Sequence, residues 1–196
     1  MTWRLRFAEP RDAAAIASIY APHCEGGLAS FEMVAPTVTE IQSRVAKHAA
    51  THPWLVAEID GAVVGYAYAG PHRERAGYRW TVETSIYVAS GQHGLGVGTA
   101  AYGALLDLVR RQGFRLALAG ITLPNRRSVG LHQRMGFRPA GVLPGVGFKH
   151  GAWHDVGWWT LELAPGSSAP VEPLDIGSLR KRMNVDAVLA TFTPSK

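Results

Sequence analysis

With 196 residues, a net charge of +5 and one cysteine, the chain suits a single domain with a short appendage and excludes an intramolecular disulfide framework. Met1 to Phe7 has no apolar signal core and no run of about 18 uninterrupted apolar residues occurs, which predicts a soluble, cytoplasmic chain without a membrane partner. The arginines fall in short dispersed clusters rather than one stripe, so an anionic small ligand is expected rather than nucleic acid.

Trp3 to Ala8 reads as an opening strand. Glu9-Pro10-Arg11-Asp12 then starts an alanine-rich helix through Tyr20, with Ile16, Ile19 and Tyr20 on one face and Pro22 as its stop. His23 to Pro36 is irregular, yet its Phe31 and Met33 suit a pocket wall. Thr37-Val38-Thr39-Glu40 is a capping box that opens a helix to about Ala50. Trp54 to Ile59 and Ala62 to Ala69, joined by Asp60-Gly61, predict a tight hairpin.

Pro71 to Gly77 is a polar loop before a strand from Tyr78 to Ala89. A helix over Val97 to Gln112 ends at Gly113. Phe114 to Ile121 is a strand, Asn125 to Met135 a helix, and Phe137 to Leu143 and Trp153 to Leu163 the last strands. An early hairpin with later crossovers predicts an α+β, or mixed α/β, class. The folded unit is expected over 1–164, followed by a linker and tail over 165–196. Ile176, Leu179 and Met183 have helical spacing there, which fits either a weakly ordered tail or one packed on this subunit or its neighbour.

The densest signal is the run from Ile86 to Tyr102, an apolar strand, a turn with Gly94, Gly96 and Gly98, and a helix opened by Thr99. Backbone N–H groups and a helix dipole converge there, which suits a phosphate or pyrophosphate. Glu83, three residues before Ile86, places a carboxylate base near that cradle. Gly96 to Ala101 matches G-x-G-x-x-A, but several strands precede it and no acid ends the next strand, so a nicotinamide site is disfavoured. No G-K-[ST] occurs. His48/His52 and His150/His154 have metal-clip spacing, but Pro53 and Gly151 break the helices such pairs need, so no metal is expected.

His93-x-x-Gly96-x-Gly98 has the spacing of the acetyl-CoA turn [QR]-x-x-G-x-[GA], and the order of elements is similar to that of the GCN5-related N-acetyltransferase (GNAT) superfamily. Histidine replaces the usual glutamine or arginine. Three stretches resemble the phosphinothricin and methionine sulfoximine N-acetyltransferase branch: Trp80 to Val88, Leu123 to His132, and Gly147 to Gly157. The resemblance covers roughly Leu5 to Leu163. It implies a mixed, mostly antiparallel sheet flanked by helices, acetyl-CoA as acyl donor, a small amino-acid substrate, and a homodimer.

N-acetylation needs a neutral amine, whereas an α-amino group with a pKa of about 8 is largely protonated. The resemblance assigns the base to Glu83, cofactor contacts to the backbone of Ile86, Tyr87 and Val88, and the pyrophosphate cradle to His93, Gly94, Leu95, Gly96, Val97, Gly98 and Thr99. Asn125 is a helix cap and also a pantetheine ligand by resemblance, with Ser128 in support. His132 stands where many relatives carry a tyrosine acid; it is either that acid or a satisfied helix histidine. Arg73, Arg75 and Arg79 offer guanidinium for a substrate carboxylate, phosphinyl or sulfonyl group. Thr84 and Ser85 are open to substrate or simple strand roles. Phe31 resembles an aromatic that closes over ligand, with Tyr20 and His154 as lesser candidates. Cys24, the single thiol, falls in an unrelated loop, so direct attack on the thioester is expected rather than an acyl-enzyme. Another amine, such as a peptide N-terminus or polyamine, and a silent acyl-CoA-binding module are the competing readings.

Overall fold

The computed structural model describes residues 3–194; the outermost residues of the two expected segments, 1, 2, 195 and 196, lie outside it. Seven strands form one sheet in the order β1-β2-β3-β4-β5-β7-β6. They are β1 (Trp3–Phe7), β2 (Trp54–Ile59), β3 (Ala62–Pro71), β4 (Thr81–Val88), β5 (Leu116–Leu123), β6 (Arg138–Lys149) and β7 (Ala152–Glu162). Every neighbouring pair is antiparallel except β4 with β5. This is the mixed, mostly antiparallel α+β sheet expected.

Local chemistry explains most elements. Asp60 (φ 49°) and Gly61 (φ 83°) both take the left-handed conformation that a two-residue hairpin turn requires between β2 and β3. Helix α2 (Val38–His48) carries the anticipated box: the Glu40 N–H donates to Thr37 Oγ1 and the Thr37 N–H to Glu40 Oε2 at 2.7 Å. Helix α3 (Val97–Gln112) ends at Gly113 (φ 95°), and α4 (Arg126–Arg134) begins where the Ser128 N–H donates to Asn125 Oδ1.

Four expectations are corrected. Helix α1 (Ala13–Glu25) runs through Pro22 instead of stopping before it. The missing N–H costs one bond near the end of the helix, while the Pro22 carbonyl still accepts from the N–H groups of Gly26 and Gly27. Cys24 therefore sits buried in α1, not in a loop. Tyr78 closes a short 3₁₀ turn (Ala76–Tyr78) instead of opening β4. Strand β6 continues well past Leu143, because register shifts at Pro139/Gly141 and Leu143/Gly147 absorb the prolines and glycines that read as a loop.

For the tail, where two readings were left open, the described residues 165–194 pack on this subunit: α5 (Ile176–Arg182) and α6 (Val185–Ala190) join the main core. Leu179, Val185, Val188 and Leu189 are buried in the same cluster as Tyr102, Leu105 and Leu108 of α3 and Leu5 of β1. The second cluster, on the opposite face, joins Ile16 and Tyr20 of α1 and Ile41 of α2 to Trp54, Val56 and Tyr66. Among the described residues no helix is long and apolar enough to cross a membrane.

Candidate active site

The sheet opens at its centre. β4 and β5 pair only over Thr81–Glu83 and Leu116–Leu118, after which the strands part. From Thr84 onward the β5-facing edge of β4 has no strand partner, and its peptide groups are available to a ligand. Val88 leads into the glycine turn, where Gly91, Gly94 and Gly96 have φ of 84°, 84° and 82°. Gly98 has a different reason to be glycine: a Cβ there would lie 3.1 Å from Val88 Cγ2, so α3 starts hard against the end of β4.

A cleft of about 910 Å³ runs over this turn. Ile86, Tyr87, Val88, His93, Gly94, Gly96, Gly98, Thr99, Asn125 and Ser128 all line it. Two expected cradle residues do not line it: the Val97 side chain is buried in the core and Leu95 is exposed. Arg127, of one of the short basic clusters, and Arg134 add positive charge to the lining. A pantetheine diphosphate fits a cleft with these features: glycine amides at a helix start, an unpaired strand edge and flanking guanidinium groups.

On the other side of β4, a cavity of about 320 Å³ is lined by Glu83, Ser85, Lys47, His48, Tyr68, His72 and Arg73. A small pocket of about 60 Å³ shares Ser85 with this cavity and Ile86, Asn125 and Ser128 with the cleft. His132 lines this pocket too. Its Nδ1–H donates to the Ser128 carbonyl at 2.8 Å; burial pushes the imidazole pKa down, only partly opposed by that bond. An apolar hollow of about 190 Å³, including Tyr20, Ile41, Trp54 and Tyr66, shares His48 and Tyr68 with the Glu83 cavity. Tyr20 therefore keeps a place beside the site, with its hydroxyl in contact with Ser30 and Glu32.

Several expected substrate ligands are not brought there. Thr84 reaches only the 60 Å³ pocket: it is buried on the other face of β4 from Glu83, where its hydroxyl meets the Tyr102 hydroxyl at 2.7 Å and donates to the Leu118 carbonyl at 3.1 Å. Strand alternation puts Glu83 and Ser85 on one side and Thr84 on the other. Arg79 lies over the Trp80 ring and pairs with Glu172 of the C-terminal segment. Arg75 precedes the 3₁₀ turn, exposed and outside the cavity, which leaves Arg73 as the one arginine of the three in its wall. Phe31 lines none of these spaces. Its ring sits on Gly147, where a Cβ would come within 2.2 Å of it, and 6.3 Å from the His154 ring. Beneath it, the fully buried Lys149 ammonium donates to the carbonyls of His23 and Ser30, tying the irregular segment to β6.

The sequence reading also missed His72, whose Nδ1 lies 2.7 Å from Glu83 Oε1. The two are eleven residues apart, and only the β3–β4 register, with Gly70 opposite Glu83, brings them together.

A split sheet that opens on an amide-rich turn, with a carboxylate-lined cavity nearby, suits a transferase that joins a phosphate-bearing donor to a small acceptor. Residues 16–137 match the acetyltransferase (GNAT) family, and the chain belongs to it; acetyl-CoA is its acyl donor and it is an N-acetyltransferase. The phosphinothricin N-acetyltransferase of Streptomyces viridochromogenes is 39% identical, over 87% of this chain and 93% of its own length. The L-methionine sulfoximine/L-methionine sulfone acetyltransferase of Salmonella typhimurium is 36% identical, over 81% and 94%. Among solved structures, a phosphinothricin acetyltransferase from Sinorhizobium meliloti in complex with acetyl-CoA superposes with a TM-score of 0.83 at 35% identity, covering 88% of this chain and 95% of the other.

Proposed function

We propose that the chain acetylates the α-amino group of a small amino acid or analogue of the phosphinothricin, methionine sulfoximine or methionine sulfone type, with Glu83 as general base. The observation that carries this reading is the placement of Glu83 in a cavity that shares Ser85 with a small pocket bordering the donor cleft. Acetyl-CoA supplies an activated acyl carbon when bound. Lys47 and Arg73 are the cations in the acceptor wall that suit a substrate carboxylate or phosphinyl oxygen. Glu83 takes the ammonium proton, directly or through one water, and frees the nitrogen lone pair.

The freed nitrogen attacks the thioester carbon, the C–S bond breaks, and the second proton shed by the nitrogen goes to the departing coenzyme A thiolate. Cys24 is buried in α1, where desolvation raises its thiol pKa, so it is a poor nucleophile. Burial pushes the His132 imidazole pKa down and its Nδ1–H is committed to the Ser128 carbonyl. In this reading it holds α4 beside the small pocket instead of acting as the acid. Exposed Val142, Leu143, Val146, Phe148 and Trp153 on the β6–β7 hairpin, with β6 at the sheet edge, support a homodimer. A lone cysteine is consistent with a cytoplasmic location.

The test is thiol release from acetyl-CoA with phosphinothricin, methionine sulfone, methionine sulfoximine, ordinary amino acids, a peptide and a polyamine. Turnover should be fastest on one of the amino acids or analogues. Faster turnover on the peptide or polyamine overturns the substrate class. Thermal stabilisation by acetyl-CoA without turnover on any amine points instead to a silent binder.

A further inference from the structure

We infer that His72 is the positioning residue of Glu83: its Nδ1–H fixes one carboxylate oxygen so that the other is turned to the amine. The inference rests on the general-base reading above. A carboxylate only accepts hydrogen bonds, so at 2.7 Å the hydrogen between the two groups is carried by Nδ1. No other side chain among the described residues hydrogen-bonds the Glu83 carboxylate.

The imidazole is itself held. Its side chain is only 17% exposed, against 43% for Glu83, and its ring meets Tyr78 and Trp158 edge-on at centroid distances of 5.6 and 6.2 Å. Trp158 comes from β7, and Tyr78 closes the turn before β4. The His72 backbone N–H reaches the Thr81 carbonyl at 3.4 Å, which carries the β3–β4 pairing just past its last register pair. The charged and titratable groups facing the pair are Lys47 and His48 from α2, Tyr68 from β3, and Arg73 and Glu74 from the following loop. None of them makes a hydrogen bond with Glu83.

A half-exposed glutamate otherwise samples several rotamers, and holding it still costs side-chain entropy. A rigid imidazole supplies that restraint before substrate arrives. Misplacement of a reacting group by about 1 Å is worth about 100-fold in rate. His72→Leu should therefore lower kcat about 10- to 100-fold and leave the KM for acetyl-CoA within about twofold. His72→Asn places an amide N–H where Nδ1 stood and should recover most of the loss. In a Glu83→Gln background, His72→Leu should have little further effect, because there is no base left to place.

The fastest amine from the thiol-release panel serves for these rates. Wild-type kcat in His72→Leu, or a loss that Asn does not repair, overturns the inference and leaves Glu83 as base. Wild-type kcat in Glu83→Gln removes the base itself, and the inference falls with it. A second readout is independent of turnover: imidazole ¹⁵N–¹H spectra of the full chain should show hydrogen on His72 Nδ1 in the wild type, and less of it in Glu83→Ala. A bare Nδ1 in the wild type overturns the inference.

Discussion

Glu83→Gln is expected to lower kcat by about 10²- to 10⁴-fold while the KM for acetyl-CoA stays within about twofold. Glutamine matches the shape of the side chain and keeps an oxygen for the His72 Nδ1–H, but it takes up no proton. The rate loss corresponds to about 3–5 kcal/mol of barrier. Donor affinity should hold because Glu83 lines the acceptor cavity and not the donor cleft. Steady-state kinetics with each substrate varied in turn separates the two constants. Turnover equal to that of the wild type removes Glu83 from the chemistry.

Gly96→Val is expected to raise the KM for acetyl-CoA by about 10- to 30-fold, the equivalent of about 1.4–2 kcal/mol at a left-handed residue. Gly96 is the cap of α3 at φ 82° and ψ −12°, and nothing lies within 4 Å of where its Cβ would be. Space is therefore not the obstacle. A β-branched residue is strained at that φ, and the backbone relieves the strain by turning N–H groups away from the cleft. Gly61→Val is the matched control, with φ 83° and equally open surroundings at the β2–β3 hairpin, far from the turn in sequence and outside the cleft lining. It should lose stability in a thermal melt and keep the wild-type KM. Equal KM values for both variants would contradict a cradle at Gly96.

Elements whose cause is local were legible in the sequence. The Thr37/Glu40 box, the Asp60-Gly61 turn and the whole of α3 from Val97 to Gln112 appear where residue chemistry put them. The candidate donor cleft could be anticipated for the same reason, since the strand, turn and helix that line it are contiguous. Features decided by distant contacts were not. Pro22 reads as a helix stop until the carbonyl bonds beyond it are seen. The segment after Leu143 reads as a loop until β7 pairs with it. α5 and α6 read equally well as a loose tail until α3 and β1 cover them. The acceptor side suffered most. Arg73, Arg75 and Arg79 are chemically alike, and only the turn at Ala76–Tyr78 sends Arg79 toward Glu172 while Arg73 stays in the cavity wall. Thr84 could have been placed by alternation alone, given Glu83 on the cavity side.

The most direct measurement is a crystal structure of the chain with coenzyme A and the acetylated form of its best amine. The diphosphate should lie on the N–H groups of the turn from Gly94 to Gly98, with the amide nitrogen of the product about 3 Å from Glu83 or one water away. A diphosphate seated elsewhere on the molecule, or a product nitrogen facing away from Glu83, contradicts the assignment.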